Sequence, residues 1–572
     1  MKLTGFLFAA ALLGTCTQPA AEENYTRHVD PKIGTGGHGH VFVGANVPFG
    51  LVQVGPTSIP QTWDWCSGYH ASDSTVIGFS HTHLSGTGIG DLFDVTVMPV
   101  TGDVTYARGE EADPASGLWS YADRTQEIAR PGYYSVPLTR YGIRAELTAT
   151  ARVGLHRYTF PASEKAAVVF DLENGGCWDK ATETHLAKEG DRTVTGWRHS
   201  TGWAKDQRVY FAAEFSKPFE KFETIGDNYA RASFRTTDGE QVSLKVALSP
   251  VSVEGAKANL AAELSGWDFE ETAAAADKAW NDELSKVKIE TEDETSKRIF
   301  YTALYHTMVA PSLFCDVNGD YRGADGKVHE NPGRDTYTTF SLWDTYRAAM
   351  PLMTVLHPER MPDIIQTMLH IADEQGRLPV WHLWGNETDC MVGNPGIVAV
   401  ADAIVKGIGG FDREKAFEAI RKTAMNPDRG NGLRMEYGYI PCEMFNEAVA
   451  YDMEYALADG AAARAAETLG KAEDAKYFEE RSHSYRNYFD PQTGFMRGRD
   501  LKKGWRTPFN AFASTHRADD YCEGNAWQYT WLAPHDVAGL VGCFGSRARM
   551  LEKLDSLFTV SSVVEGGETS AQ

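Results

Sequence analysis

Glu523 opens the run Glu523-Gly-Asn-Ala-Trp-Gln-Tyr-Thr-Trp531, with Pro534-His-Asp536 behind it. A carboxyl group enclosed by Trp527, Tyr529 or Trp531 has its anion penalised, which raises its pKa toward the range of a general acid at neutral pH. A helix beginning just after Glu523 pulls the other way, because its N-terminus favours the anion. The same carboxylate also suits a plain capping role. Sequence leaves both readings open.

A second group of residues suits a polyhydroxylated ring. Ser341-Leu-Trp-Asp-Thr-Tyr-Arg347 sets Trp343 beside Asp344, and Leu378–Thr388 carries Trp381, Trp384, Asn386 and Glu387 in an expected turn before a helix. Flat apolar faces beside oriented acceptors return to sugar hydroxyls the hydrogen bonds they lose on leaving water. Asp344 and Arg347 fit equally well as an i,i+3 helix pair, worth roughly a few tenths of a kcal/mol.

Two further stretches are rich in glycine, tryptophan and histidine. Ile33-Gly-Thr-Gly-Gly-His-Gly-His40, followed by Pro48-Phe-Gly50, predicts a loop with unusual backbone angles. It lacks the GxGxxG spacing and the strand-to-helix context of a dinucleotide site. Trp63-Asp-Trp-Cys-Ser-Gly-Tyr-His70 runs through Phe79–Gly88 to Asp91. His81 and His83 share a face if extended, but no third or fourth metal ligand lies nearby, which favours hydrogen-bonded packing histidines.

The chain that must position these groups has 572 residues, with 55 basic against 78 acidic side chains and a net charge of −23. That length calls for at least two domains. The charge excludes a nucleic-acid partner, which requires a cationic footprint. Lys2 and the apolar run Leu3–Gly14 form a targeting segment ending at Cys16, in a context resembling a bacterial lipobox with an outer-membrane lipid anchor. Simple cleavage near Ala20–Ala21 is the alternative. The location expected is secretion across the inner membrane, to the periplasm or the cell surface. The other seven cysteines show no CxxC pairing, so buried thiols are expected rather than zinc ligands or a disulfide framework.

From about Val95 to Val253 the sequence predicts strands, among them Ile143–Ala149, Arg152–Phe160, Ala166–Asp171, Arg208–Phe215, Tyr229–Arg235 and Gln241–Val251. Strands without interleaved helices indicate an antiparallel β-sandwich. Phe269, Ala273, Ala276, Trp280, Leu284 and Val287 then mark one face of a linker helix. Helices are expected at 296–310, 341–355, 359–374, 395–407, 413–424, 444–469, 472–488, 525–532 and 545–558, with Gly376, Gly409 and Gly470 as C-terminal caps. The domains read as a leader at 1–22, a β-sandwich at 23–260, a helical linker at 261–295 and a helical domain at 296–572.

Together Ile33–His40, Pro48–Pro56, Ser80–Asp94, Ser341–Arg347, Gly385–Met391 and Glu523–Val537 resemble glycoside hydrolase family 92, the inverting exo-α-mannosidases. The resemblance spans about residues 28–560. It implies an N-terminal β-sandwich, a C-terminal (α/α)6 barrel that this chain leaves incomplete, and a site between them. It implies release of terminal α-linked mannose, α-1,2 foremost, from N-glycans or mannans. Glu523 takes the place of the catalytic acid. Trp343, Asp344 and Glu387 match the sugar subsite, with Asn386, Asn525 and Gln528 beside them. Trp63 or Trp65 matches a tryptophan on the leaving-group side. A Ca²⁺ ion bound to mannose O2 and O3 is implied, with ligands that stay unassigned. The family's later acidic segment, which carries the base that activates water, has no counterpart before Gln572. The expectation is a fragment without its base. Two rival readings are a glycoside phosphorylase of similar architecture and a surface glycan-binding lipoprotein without catalysis.

Overall fold

The computed structural model describes residues 23–60, 62–515 and 517–561. The leader with Cys16, and the tail with Glu565 and Glu568, lie outside the described residues. Among those described, no helix is long and apolar enough to cross a membrane.

Alternating burial along Ile143–Ala149 shows why the first half folds as sheet: every second side chain faces a core. One antiparallel sheet of six strands runs Gly55–Thr57, Gly78–Ser80, Thr96–Thr101, Ser163–Asp171, Tyr229–Thr236, Lys221–Ile225. The other, of eight, runs Lys180–Glu189, Thr193–Thr201, Gln207–Phe215, Glu240–Ser249, Val153–Phe160, Ile143–Ala149, Tyr133–Leu138, Ile128–Arg130. Rings close the gap between them: Phe170 stacks on Phe211 at 6.0 Å, and Phe160 meets Phe234 edge-on at 5.5 Å. Aligned sheets sharing such a core form a β-sandwich.

The expected linker is two helices, Val253–Glu263 and Phe269–Leu284, and the first crosses residue 260. Of the expected apolar face, Phe269, Ala276, Trp280 and Leu284 are buried. Trp280 donates to the Asn46 carbonyl (2.7 Å) and packs on Tyr305, which pins the linker between the two halves.

The second half is helical, and several expected boundaries need correction. The helix expected at 341–355 is broken into Leu342–Thr345 and Ala349–Leu356. Helix 444–469 begins only at Ala448, because Glu447 adopts a left-handed φ of 56°. The stretch 472–488 turns into 3-10 helix at Ser482, and 525–532 shortens to Ala526–Tyr529. Asn431–Tyr437 and Val537–Phe544 are helices that the sequence reading did not anticipate. Of the three expected caps, Gly376 and Gly470 have positive φ, whereas near 409 it is Gly407 and Gly410 that turn the chain.

Ala448–Thr468 is the axis of this half, buried along nearly its whole length. Small alanines let neighbouring helices approach closely, yet the helix also buries Asp452, Glu454 and Asp459. Arg434 answers two of them, at 2.7 Å from Asp452 and 2.7 Å from Asp459, and Arg481 adds a second contact to Asp459. Removing one partner from such a set strands a charge in low dielectric. Arg434→Met should lower the stability of the helical domain by about 3–5 kcal/mol, read from urea unfolding by circular dichroism; a loss within experimental error would mean the buried ions contribute nothing.

Candidate active site

The helical side of the site is organised by Glu454. Its carboxylate is 3% exposed and accepts from Trp343 Nε1 (3.0 Å), Tyr346 Oη (2.7 Å) and Arg347 Nη2 (2.8 Å). Arg347 therefore pairs with Glu454, and the i,i+3 pair with Asp344 that the sequence also allowed is not among the ion pairs of the described residues. With Trp343 turned to Glu454, the adjacent Asp344 is left exposed beside Glu523. Desolvation by the protein around it, together with the charge of Glu523, lifts its carboxyl to about 6. The side chain is water-accessible yet largely surrounded by protein, and the upward direction follows from that surrounding.

Glu523 is thus brought to Asp344 from a distant part of the chain. It is exposed, and its backbone takes a left-handed φ of 45°, uncommon for a residue with a Cβ. Next to it, Asn525 and Gln528 form a reciprocal capping box: Asn525 Oδ1 accepts from the Trp527 amide (3.0 Å), and Gln528 Oε1 from the Asn525 amide (2.9 Å). Both expected sugar-binding side chains therefore fix the turn that presents Glu523.

Asn386 and Glu387 also meet structural demands. Glu387 accepts from the amides of Val380, Trp381 and Asp389 at 2.8, 2.9 and 3.0 Å, which folds its loop. The loop is a three-stranded sheet of Phe340–Ser341, Trp381–Leu383 and Asn386–Glu387, not the turn before a helix that was expected. Trp381 and Trp384, at 1% and 2% exposure, are core residues and offer no face to a ligand. Asn386 reaches across to the sandwich, accepting from the Asp206 amide (3.0 Å) and donating to the Asp206 carbonyl (3.1 Å).

On the sandwich side, the Gly88–Asp91 strip gathers three tryptophans. Trp63 Nε1 donates to the Gly88 carbonyl (3.0 Å), and the Trp178 amide donates to that of Gly90 (2.9 Å). Asp91 accepts from the amides of Trp203 (3.1 Å) and Ala204 (2.8 Å). A Cβ on Gly88 would come within 2.6 Å of Trp63, so the close approach requires glycine. The glycine-rich loop backs the same ring: His40 packs edge-on to Trp63 at 4.3 Å, and His38 bonds Asp64 at 2.6 Å. Trp65 turns away, donating to Asp73 (3.0 Å). Arg517 lies 5.7 Å above Trp203 and donates to the Cys390 carbonyl (3.2 Å), linking this aromatic wall to the loop beside Asp344. Trp178, Trp203, Asp91, Glu454 and Arg517 were not singled out as site residues by the sequence reading, although Asp91 closes one of the motifs.

His81 and His83 are packing residues. Both are buried; His81 Nδ1 meets the Val95 carbonyl (2.6 Å), its Nε2 meets His156 (2.9 Å), and His83 Nδ1 meets the Gln53 carbonyl (2.8 Å). Desolvation holds the two imidazoles at about 3 and about 4, so both are neutral.

The chain is similar to known proteins over nearly its whole length. Residues 28–249 match the glycosyl hydrolase family 92 N-terminal domain, and residues 255–571 match the family 92 catalytic domain. A family 92 α-mannosidase from Bacteroides thetaiotaomicron, solved with mannoimidazole, is 38% identical with a TM-score of 0.90, over 94% of this chain and 74% of that one. A family 92 inverting mannosidase from the same organism is 30% identical with a TM-score of 0.84, over 93% and 74%. An uncharacterized secreted glycosidase of Arthroderma benhamiae is 27% identical over 96% of this chain and 76% of its own length. The chain belongs to glycosyl hydrolase family 92.

Asp91 provides a pH test of the wall. Its carboxyl is buried, and desolvation raises it from 3.8 to about 6. The folded protein therefore holds this proton more tightly than the unfolded chain. The resulting stability is full below pH 4 and is lost as pH rises through 6. Relative to Asp91→Asn, the wild type should lose roughly 1–3 kcal/mol between pH 4 and pH 7. A gap in unfolding free energy that stays flat over that range would refute the assignment.

Proposed function

We propose that this family 92 glycosidase releases terminal α-linked mannose from N-glycans or mannans, with Glu523 as the proton donor. The observation that carries this reading is the convergence of two exposed carboxylates remote in sequence, Asp344 and Glu523. The mannosidase relatives support the choice of sugar, and the one named as inverting supports the stereochemistry.

In this reading a mannose ring rests beside Trp343, with Asp344 accepting from its hydroxyls. The leaving sugar extends toward Trp63, while the Asn386–Asp206 and Arg517–Trp203 contacts keep the two walls in register. Glu523 gives its proton to the glycosidic oxygen as the C–O bond breaks, and water attacks the anomeric carbon from the opposite face. Secretion, as in the Arthroderma relative's name, suits a glycan substrate outside the cell.

Calcium, implied by the resemblance, prefers a cage of hard oxygen ligands. Among the described residues, the one group of three metal-competent side chains is Glu283, His357 and Glu359. Lys286 Nζ already lies 2.8 Å from each carboxylate and 3.2 Å from His357 Nδ1. An ammonium group fills the place a metal would take, so these residues do not fit calcium and no step is routed through it.

The test uses α-1,2-linked mannobiose first, then its α-1,3 and α-1,6 isomers. Whatever mannose the chain releases should appear as the β-anomer by NMR, and Glu523→Gln should lower its kcat by about 10²–10⁴. Full activity in Glu523→Gln would overturn the assignment of the acid. Glycan affinity unchanged by Glu523→Gln, with no release by any longer form of the chain, would favour the non-catalytic reading.

A further inference from the structure

Seven cysteines lie among the described residues, and two of them face each other. Cys66, fully buried, closes the turn Trp63–Trp65 through its amide bond to the Trp63 carbonyl (3.1 Å). Cys177 is half-buried in the loop before Trp178, and its Sγ donates to the Thr62 carbonyl (3.2 Å), one turn from Cys66. Each thiol is the foremost influence on the ionisation of the other, as two adjoining sulfurs are. Cys315, Cys390, Cys442, Cys522 and Cys543 instead face arginine or carboxylate groups.

The contact is held by backbone on both sides. The Gly176 amide donates to the Leu92 carbonyl and that of Trp178 to the Gly90 carbonyl, both at 2.9 Å, while Trp63 binds the same strip at Gly88. A Cβ on Gly90 would come within 2.7 Å of the Cys177 Cβ, so the cysteine loop is seated directly on the strip. Two turns docked on one ribbon keep their sulfurs together without needing a bond between them.

We propose that Cys66 and Cys177 form a redox-active pair, oxidised by an exogenous disulfide to a bond that staples the Trp63 turn to the Trp178 loop. The Cys177 thiolate attacks one sulfur of the reagent and expels its other half as a thiolate, which takes up a proton. Cys66 then loses its proton to solvent, attacks the Cys177 sulfur and expels the second half. Two protein thiols are oxidised by two electrons, and one disulfide is reduced to two thiols. The Cys66 thiol beside it favours the Cys177 thiolate, while the neighbouring Cys177 and then burial both oppose ionisation of Cys66, so the accessible sulfur is the one that reacts first. The consequence is a stiffer aromatic wall.

The experiment treats the folded full chain with oxidised glutathione, blocks residual thiols, and maps the peptides without reduction. The expected result is one cross-linked pair joining the Cys66 and Cys177 peptides, with Cys315, Cys390, Cys442, Cys522 and Cys543 blocked, and a higher midpoint of thermal unfolding than in the reduced protein. Cys177→Ser should show no cross-link and leave Cys66 blocked. The proposal is overturned if both cysteines of the wild type remain reduced, if Cys177 stops at a glutathione adduct, or if either pairs elsewhere. Because the readout is a peptide map, it succeeds or fails independently of mannosidase activity.

Discussion

The helical side of the site depends on a carboxylate that water cannot reach. Glu454, projecting from an alanine-lined helix, must find hydrogen-bond donors within the protein or carry a large desolvation cost. Trp343, Tyr346 and Arg347 supply three of them. That requirement fixes the short helix Leu342–Thr345, and the helix in turn sets Asp344 beside Glu523. A buried ion is a poor source of net stability, but it tolerates few alternative arrangements of its partners. Orientation is what this site gains from it.

The sandwich uses the same device. Arg198, fully buried, joins Asp94 (2.7 Å) and Asp179 and donates to the Leu172 carbonyl. Asp94 closes the segment that contains the Gly88–Asp91 strip, and Asp179 ends the loop that bears Trp178. One guanidinium thus ties together the two segments that carry the aromatic wall. The halves then meet along a broad seam and share one hydrophobic core: Ser249 donates to Asp316 (2.8 Å), Arg152 to the Cys315 carbonyl (2.7 Å) and Arg322 to the Pro250 carbonyl (3.0 Å), while Asn386 with Asp206 and Arg517 with Trp203 join the two walls of the site.

Legibility in the sequence followed burial. Ile143–Ala149 was read to the residue because its two faces differ. Lys180–Glu189, an edge strand with charged side chains, carried no such alternation and was not anticipated. The break at Tyr346–Ala348 also left no local sign, since it answers to the tertiary pull of Glu454. Glu523 and Asp344 stood out by their neighbours, whereas Glu454 lay inside an alanine-rich run. Three acids within the alanine-rich, buried stretch 448–463 of its helix were the available signal. Asn386, Glu387, Asn525 and Gln528 were noticed for their polarity, and the structure uses that polarity to fold the loops carrying the reactive groups.

The left-handed backbone at Glu523 has a consequence for how this sequence can drift. Position 523 is a site where glycine would sit with less strain, so selection for heat tolerance alone would favour replacing the proposed proton donor. On the proposed role, glutamate would persist there only under a demand for turnover. A mutant library passed through thermal selection, then resequenced, would show the conflict as enrichment of glycine at that codon and its reversal once hydrolysis is required.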